Sequence, residues 1–235
     1  MGPGASLVVV ANADAFRVRY GAGRPVAGAW NAKDRLSNAG ETLTLQFGLA
    51  VPAVFSFAYS DGGVEGWPVE PDGSGASLVR IEPGNPARDP AVGWNWRVGA
   101  VPSPGVDDRV SYATWLAGAA EPDADGDGLA NAAEYMLGGS NAGDSSAVVP
   151  VGVLTAVTVG GVEANYMTLS VRLVNGREDF RMRVEFSGDL ASWPNEGVQV
   201  AARDNGDGTR TELWRSPDPV LPGTRRFGRV KFTPR

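Results

Sequence analysis

The stretch YMTLSVRL, residues 166–173, alternates apolar and polar side chains along its whole length. Met167, Leu169, Val171 and Leu173 share one face, and polar residues share the other. A period of two residues is typical of a β-strand that buries one face. Further strands are predicted at residues 42–47, 54–59, 77–81, 181–186, 198–202, 209–214 and 227–233. The pattern therefore predicts a mainly β protein whose strands pack as two-sheet sandwiches.

The composition of the 235 residues agrees with this fold class and excludes several functions. Gly (32) and Pro (17) are frequent, which is typical of short strands joined by tight turns. His and Cys are absent, which excludes disulfides, thiolate nucleophiles, Ser-His-Asp catalysis and histidine zinc ligands. The basic residues are too dispersed for nucleic-acid binding. No apolar run approaches the ~18–20 residues of a membrane span, so we expect no membrane insertion.

Residues 108–138 have a different character. Tyr112, Trp115 and Leu116 follow helical spacing, and residues 129–137 form a second predicted helix that Gly138 and Gly139 end. Residues 110–171 carry seven acidic groups and no Lys or Arg. Such a segment produces a local field that attracts cations.

Between the two predicted helices lies DADGDGLANAAE, residues 123–134, which fits the EF-hand calcium loop. Gly128 stands at position 6, where the chain turns sharply. Ca²⁺ takes six to eight oxygen ligands, and Mg²⁺ competes weakly because it prefers a tighter octahedron. The alternative is a solvated acidic turn without an ion. The predicted ligands are Asp123, Asp125, Asp127, the Leu129 carbonyl, Asn131 directly or through a water, and the bidentate Glu134.

The loop and the NAAEYMLGG that ends it, residues 131–139, resemble the single calcium-loop segment near the C-termini of large secreted bacterial proteins. The loop is also similar to those of dockerins and of thrombospondin type 3 repeats. Dockerins carry the loop twice, and thrombospondin repeats carry cysteines, which this chain lacks. The resemblance therefore implies calcium binding and not cohesin docking.

Residues 7–105 resemble a bacterial lamin tail domain. The resemblance rests on LSNAGETLTL (36–45), FAY (57–59), WP (67–68), DGSGASL (72–78) and SPG (103–105). It implies an immunoglobulin-like sandwich without catalytic machinery, which serves as an accessory module of secreted or cell-surface proteins. The start of the chain already resembles the middle of that domain, so we expect its first strands to be missing. An incomplete sheet edge would favour a homodimer.

Three regions follow from these patterns: residues 1–105 as a lamin-tail-like sandwich, 106–142 as a calcium-binding helical linker, and 143–235 as a second sandwich. We expect a non-catalytic accessory region of a larger extracellular protein, in which calcium makes the junction of the two β modules rigid. Its other partners would be the upstream domains of that protein.

Two alternatives remain. Trp67, Trp94 and Trp96 could form an aromatic platform for a glycan or surface polymer, although such residues more often pack in a small sandwich. An enzyme would need a pair of carboxylates in a deep cleft. The acidic residues between 61 and 72 could supply such a pair, but their surroundings favour solvated turns. The acidic stretch from Asp204 to Gly208 could form a second calcium site, but its pattern favours a hairpin turn.

Overall fold

The computed structural model describes residues 5–30, 35–46, 48, 51–61, 66–99 and 101–235. Within these ranges the protein is mainly β, as the alternating patterns predict, with several separate sheets and three short α-helices. None of the helices in the described ranges has the length and apolar character needed to cross a membrane.

The first module forms three separate two-stranded pairs. Its elements are β1 (Val8–Val10), α1 (Ala13–Tyr20), β2 (Val26–Ala29), β3 (Gly40–Leu45), β4 (Phe55–Ser60), β5 (Ser77–Arg80) and β6 (Trp96–Gly99). β1 and β2 are parallel, whereas β3–β4 and β5–β6 are antiparallel. Phe47, at the end of the predicted strand 42–47, lies outside the described residues. An immunoglobulin-like order of strands in this module stays a prediction.

The helical segment agrees with its predicted spacing. It contains α2 (Tyr112–Leu116) and α3 (Asn131–Leu137). Ser111 caps α2, because its Oγ accepts the N–H of Thr114 at 3.2 Å. Gly138 ends α3 in the left-handed conformation with φ 91°, which strains any residue with a Cβ. The predicted stop at Gly138 is therefore confirmed.

The second module contains two sheets. Its strands are β7 (Gly152–Val159), β8 (Val162–Val174), β9 (Phe180–Ser187), β10 (Asn195–Glu196), β11 (Val198–Asp204), β12 (Thr209–Arg215) and β13 (Phe227–Pro234). One antiparallel sheet has the order β11-β12-β8-β7, and the other has the order β10-β9-β13. Gly160 and Gly161 join β7 to β8 with φ values of 59° and 80°, as a type I′ turn requires.

The main core is formed by residues of β8, β9 and α3. Leu169, Val171 and Leu173 are buried while Ser170 and Arg172 are exposed, which confirms the predicted alternation over residues 169–173. Tyr166 and Thr168, on the other face, are buried as well, and Met167 is half-buried. The buried cluster comprises Tyr135, Met136, Leu137, Leu169, Val171, Leu173, Phe180, Val184 and Phe186. Since α3 supplies three of its members, the helical segment predicted as a linker packs as part of the second module.

The two modules meet through buried ion pairs. Arg97 on β6 is 2% exposed, and its Nε donates to Glu178 Oε1 at 2.6 Å. Its Nη1 and Nη2 donate to the two oxygens of Asp108 at 2.8 and 2.6 Å. These hydrogen bonds hold the pKa of Asp108 below its usual range. A second contact joins Arg235, after β13, to Glu82 of the first module. The first module is thus held directly against the second.

Candidate metal centre

Three aspartate side chains converge in the loop between α2 and α3. One oxygen from each of Asp123, Asp125 and Asp127 lies within 4.8 Å of the other two. Backbone N–H groups of the loop fix Asp123: Gly126 donates to its Oδ1 at 2.8 Å and Gly128 to its Oδ2 at 3.0 Å. Gly128 has φ 92°, which provides the sharp turn predicted at position 6. The loop is therefore folded with its carboxylates gathered.

A fourth carboxylate, that of Glu134, belongs to the first turn of α3. Glu134 is 0% exposed. Its Oε2 and the Oδ2 of Asp125 are buried and have no hydrogen-bond partner among the described residues. Burial raises the pKa of Glu134, the hydrogen bond from Ser145 opposes that rise, and the nearby charges of the three aspartates add to it. Buried anionic oxygens without a partner are costly, so these two atoms fit the donor set of a cation site.

Ser145 connects two of these carboxylates. Its N–H donates to Asp127 Oδ2 at 2.6 Å, and its Oγ donates to Glu134 Oε1 at 2.6 Å. Ser145 is 3% exposed and also accepts the N–H of Ser140 at 2.9 Å. The sequence did not predict this role, because residues 140–150 have the small and polar composition of a linker. Nothing in the local pattern distinguishes Ser145 from Ser146.

Asn131, the predicted ligand at position 9, is held by hydrogen bonds within the segment. Asn131 is 0% exposed. Its Oδ1 accepts the N–H of Ala124 at 3.1 Å, and its Nδ2 donates to the carbonyl of Ala120 at 2.7 Å. The side chain therefore connects the first residue of α3 to the start of the loop and to the segment before it. Leu129, the predicted carbonyl ligand, is half-buried and donates its N–H to Asp127 Oδ1 at 2.7 Å.

The predicted tryptophan platform is wrong in one respect. Trp67 is 4% exposed and therefore offers no exposed ring. Trp94 and Trp96 are half-buried. The ring of Trp96 stacks on Trp67 and on Phe57, with centroids 5.8 and 5.2 Å away, and its Nε1–H donates to the Pro90 carbonyl at 2.8 Å. Trp96 also lines a cleft of about 400 Å³ beside β3 and β4. These contacts are typical of packing, and glycan binding stays a prediction.

The other acidic turn is a hairpin, as predicted. Residues 205–208 join β11 to β12, which pair antiparallel. Asp207 accepts from Arg172 at 2.6 Å, and the N–H of Thr209 donates to it at 3.1 Å. Its carboxylate is thus already paired with a guanidinium, which explains an acidic turn without an ion.

Comparison of the chain with protein-family models, with curated proteins and with solved structures finds no match. The resemblances to lamin tail domains and to single calcium-loop segments therefore stay predictions that rest on the quoted residues. The chemistry of the site follows from its geometry, which offers several anionic oxygens to a hard cation.

Proposed function

We propose that the loop of residues 123–134 binds one calcium ion and that the protein is a non-catalytic, calcium-stabilised part of an extracellular or cell-surface protein. The observation that supports it most is the cluster of three aspartates in this loop, with Glu134 linked to Asp127 through Ser145 and its Oε2 buried and unpartnered among the described residues. Residues 110–171 contain no Lys or Arg that could neutralise these charges.

The aspartates and Glu134 would hold the ion. They supply hard oxygen donors, which suit Ca²⁺ and Mg²⁺ better than softer metals. A bidentate Glu and a flexible glycine-containing loop favour Ca²⁺, because Mg²⁺ demands a near-ideal octahedron and keeps several waters. In our proposal Asn131 orients the loop through its amide, and its Oδ1, which accepts one hydrogen bond, keeps a second lone pair for the ion or for a bridging water.

Bound calcium would stabilise the helical segment against the second module. Glu134 is followed on α3 by Tyr135, Met136 and Leu137, which are members of the main core. The Tyr135 hydroxyl donates to the carbonyl of Val110 at 2.5 Å, and Arg177 donates to the Tyr135 carbonyl at 2.9 Å. An ion that fixes Glu134 would therefore also fix the contact of α3 with its neighbours.

This role is narrower than a clamp between two modules. The ion pairs between the modules include Arg97 with Glu178 and Asp108, and Arg235 with Glu82. None of these residues belongs to the loop. We therefore propose that the ion pairs set the orientation of the modules and that calcium stabilises the helical segment. Extracellular calcium sites bind at about 10⁻⁴–10⁻³ M, so such a site would be filled outside the cell.

Thermal unfolding in EDTA and in calcium tests the proposal. At ten times its dissociation constant, calcium adds about 1.4 kcal/mol to the free energy of unfolding. For a chain of this size that gain corresponds to a rise of about 3–6 °C in Tm. The variant Glu134→Gln should lose most of the rise, because it removes one charge and one strong donor oxygen. The matched control Glu163→Gln changes an exposed glutamate on β8 and should keep it.

A magnesium arm separates calcium from a general cation effect. Magnesium at equal concentration should raise Tm by less than half as much. Equal Tm values in EDTA and calcium, or an equal response of Glu134→Gln and the wild type, would contradict calcium binding at this loop.

A further inference from the structure

Strand β7 forms one edge of the four-stranded sheet and is unusually apolar for an exposed edge. The side chains of Val153 and Leu154 are 52% and 60% exposed, Val151 just before the strand is 71% exposed, and Val159 at its end is 37% exposed. From residue 145 to residue 162 the chain carries no charged side chain. Exposed apolar strands of this length are typical of surfaces that pair with another strand.

The backbone of β7 presents hydrogen-bonding groups at this edge. The two-residue turn makes Val159 and Val162 a hydrogen-bonded pair. In an antiparallel ladder, hydrogen-bonded pairs alternate with non-hydrogen-bonded pairs. Val153, Thr155 and Val157 therefore bond to β8. Consistently, the carbonyls of Asn165 and Met167 accept from Val220 and Ser216, on the side away from β7. The N–H and C=O groups of Leu154, Ala156 and Thr158 consequently point outward.

β7 lacks the features by which proteins protect an edge. Its residues, GVLTAVTV, include no Lys and no Pro, and its register with β8 continues without a bulge. In the described part of the chain, no strand pairs with its outer side. The edge is therefore regular, uncharged and open to pairing.

We propose that β7 pairs antiparallel with β7 of a second copy of this chain, about a two-fold axis that passes beside Ala156. In this register Leu154 faces Thr158 of the partner subunit, and Val153 faces Val159 of the partner subunit. The pairs are apolar or β-branched, which favours cross-strand packing. Because the segment is uncharged, two identical copies meet without like-charge repulsion.

Exposed valines at the two ends of β7 would also meet across the proposed contact. An antiparallel arrangement brings the N-terminal end of one strand, where Val151 and Val153 are exposed, to the C-terminal end of the other, where Val159 is 37% exposed. Seven facing residues at ~3.4 Å each give a contact ribbon of only ~24 Å. A contact of that size lies below the standard interface, so we expect reversible association with a dissociation constant of about 10–100 µM.

This surface differs from the incomplete edge predicted for the first module, because β7 belongs to the second module. Sedimentation velocity of the full chain from about 1 to about 300 µM should show a mass that rises toward twice the monomer. Leu154→Lys places a charge at the edge and should weaken association at least tenfold. The control Leu221→Lys, at a 63% exposed leucine outside the strands, should leave it unchanged.

A disulfide test reports the register. The chain has no Cys, so each variant carries a single thiol. Directly paired residues have Cα atoms about 5.5 Å apart, within disulfide range, so Ala156→Cys should form a covalent dimer on mild oxidation. The two copies of Thr158→Cys would lie more than ~13 Å apart along the strands and should remain monomeric, as should Leu221→Cys.

The proposal is overturned if the wild-type chain stays monomeric over the whole concentration range. It is equally overturned if Thr158→Cys cross-links as fast as Ala156→Cys, or if Leu221→Lys weakens association as much as Leu154→Lys. Circular dichroism melts of each variant identify a loss of fold, and the thiol variants test the register independently of the lysine variant.

Discussion

Replacing Arg97 with Met tests the contact between the two modules most directly. The side chains of Arg97 and Glu178 are each 3% exposed, and the Asp108 side chain is 19% exposed. Removing the guanidinium leaves Glu178 as an unpaired buried charge, although Met keeps most of the side-chain volume. Removing one partner of a buried ion pair typically costs 3–5 kcal/mol. Asp108 adds less, because solvent screens a partly exposed carboxylate.

We therefore expect Arg97→Met to lower the free energy of unfolding by about 3–5 kcal/mol at pH 7. Urea unfolding at a fixed calcium concentration measures the change by linear extrapolation. The neighbouring pair of Arg109 and Asp107 is a matched control, since its side chains are 42% and 55% exposed. Arg109→Met should cost no more than about 1 kcal/mol.

The loss of stability in Arg97→Met should also depend on pH. Arg97 lowers the pKa of Asp108, so the stability that this pair contributes is present above the unfolded carboxyl pKa of about 3.9. This contribution to stability is lost as the pH falls through the pKa of Asp108 in the folded protein, which is lower than the unfolded value. The gap between the wild type and Arg97→Met should consequently narrow below about pH 4. A cost below about 1 kcal/mol at pH 7, or equal to that of Arg109→Met, would refute the buried contact.

Three further predictions concern the metal centre and the core. In Gly139→Ala the new Cβ would lie 2.5 Å from the Ser145 Oγ, so the calcium-dependent rise in Tm should shrink. The control Gly143→Ala, whose new Cβ would meet no atom within 4 Å, should keep the full rise in Tm. Ser145→Ala removes a charge-assisted hydrogen bond of about 1.5–3 kcal/mol from the Glu134 carboxylate, and calcium titration should show altered affinity. Phe186→Ala empties a fully buried core position and should cost about 3–5 kcal/mol in urea unfolding.

Local patterns predicted much of the fold. The alternation in residues 166–173 identified a strand and its buried face, because side chains on a pleated strand point to opposite sides in turn. Helical spacing located α2, and the glycines after residue 137 located the end of α3. Turn residues located the hairpin between β11 and β12. The same approach missed α1, although Asn12 and Asp14 form a helix-start pattern, and it also missed the exposed strand β7.

The candidate metal centre was predictable to the extent that its residues are close in sequence. Asp123, Asp125 and Asp127 converge because a single glycine-containing loop fixes their spacing. Ser145 could not be predicted, since it reaches Asp127 from 18 positions away through the packing of a separate segment. Asn131 fits a ligand position by spacing, yet its amide hydrogen-bonds to backbone groups that only the folded loop brings near.

By itself the sequence determined the β class, the positions of most strands and the acidic loop. These properties depend on periodicity and turn chemistry over a few residues. Tertiary structure alone decided that Arg97 meets Glu178, 81 positions away, that α3 joins the core of the second module, and that β7 remains at an open edge. Such contacts depend on how whole elements pack, because burial and pairing are properties of surfaces that distant segments form together.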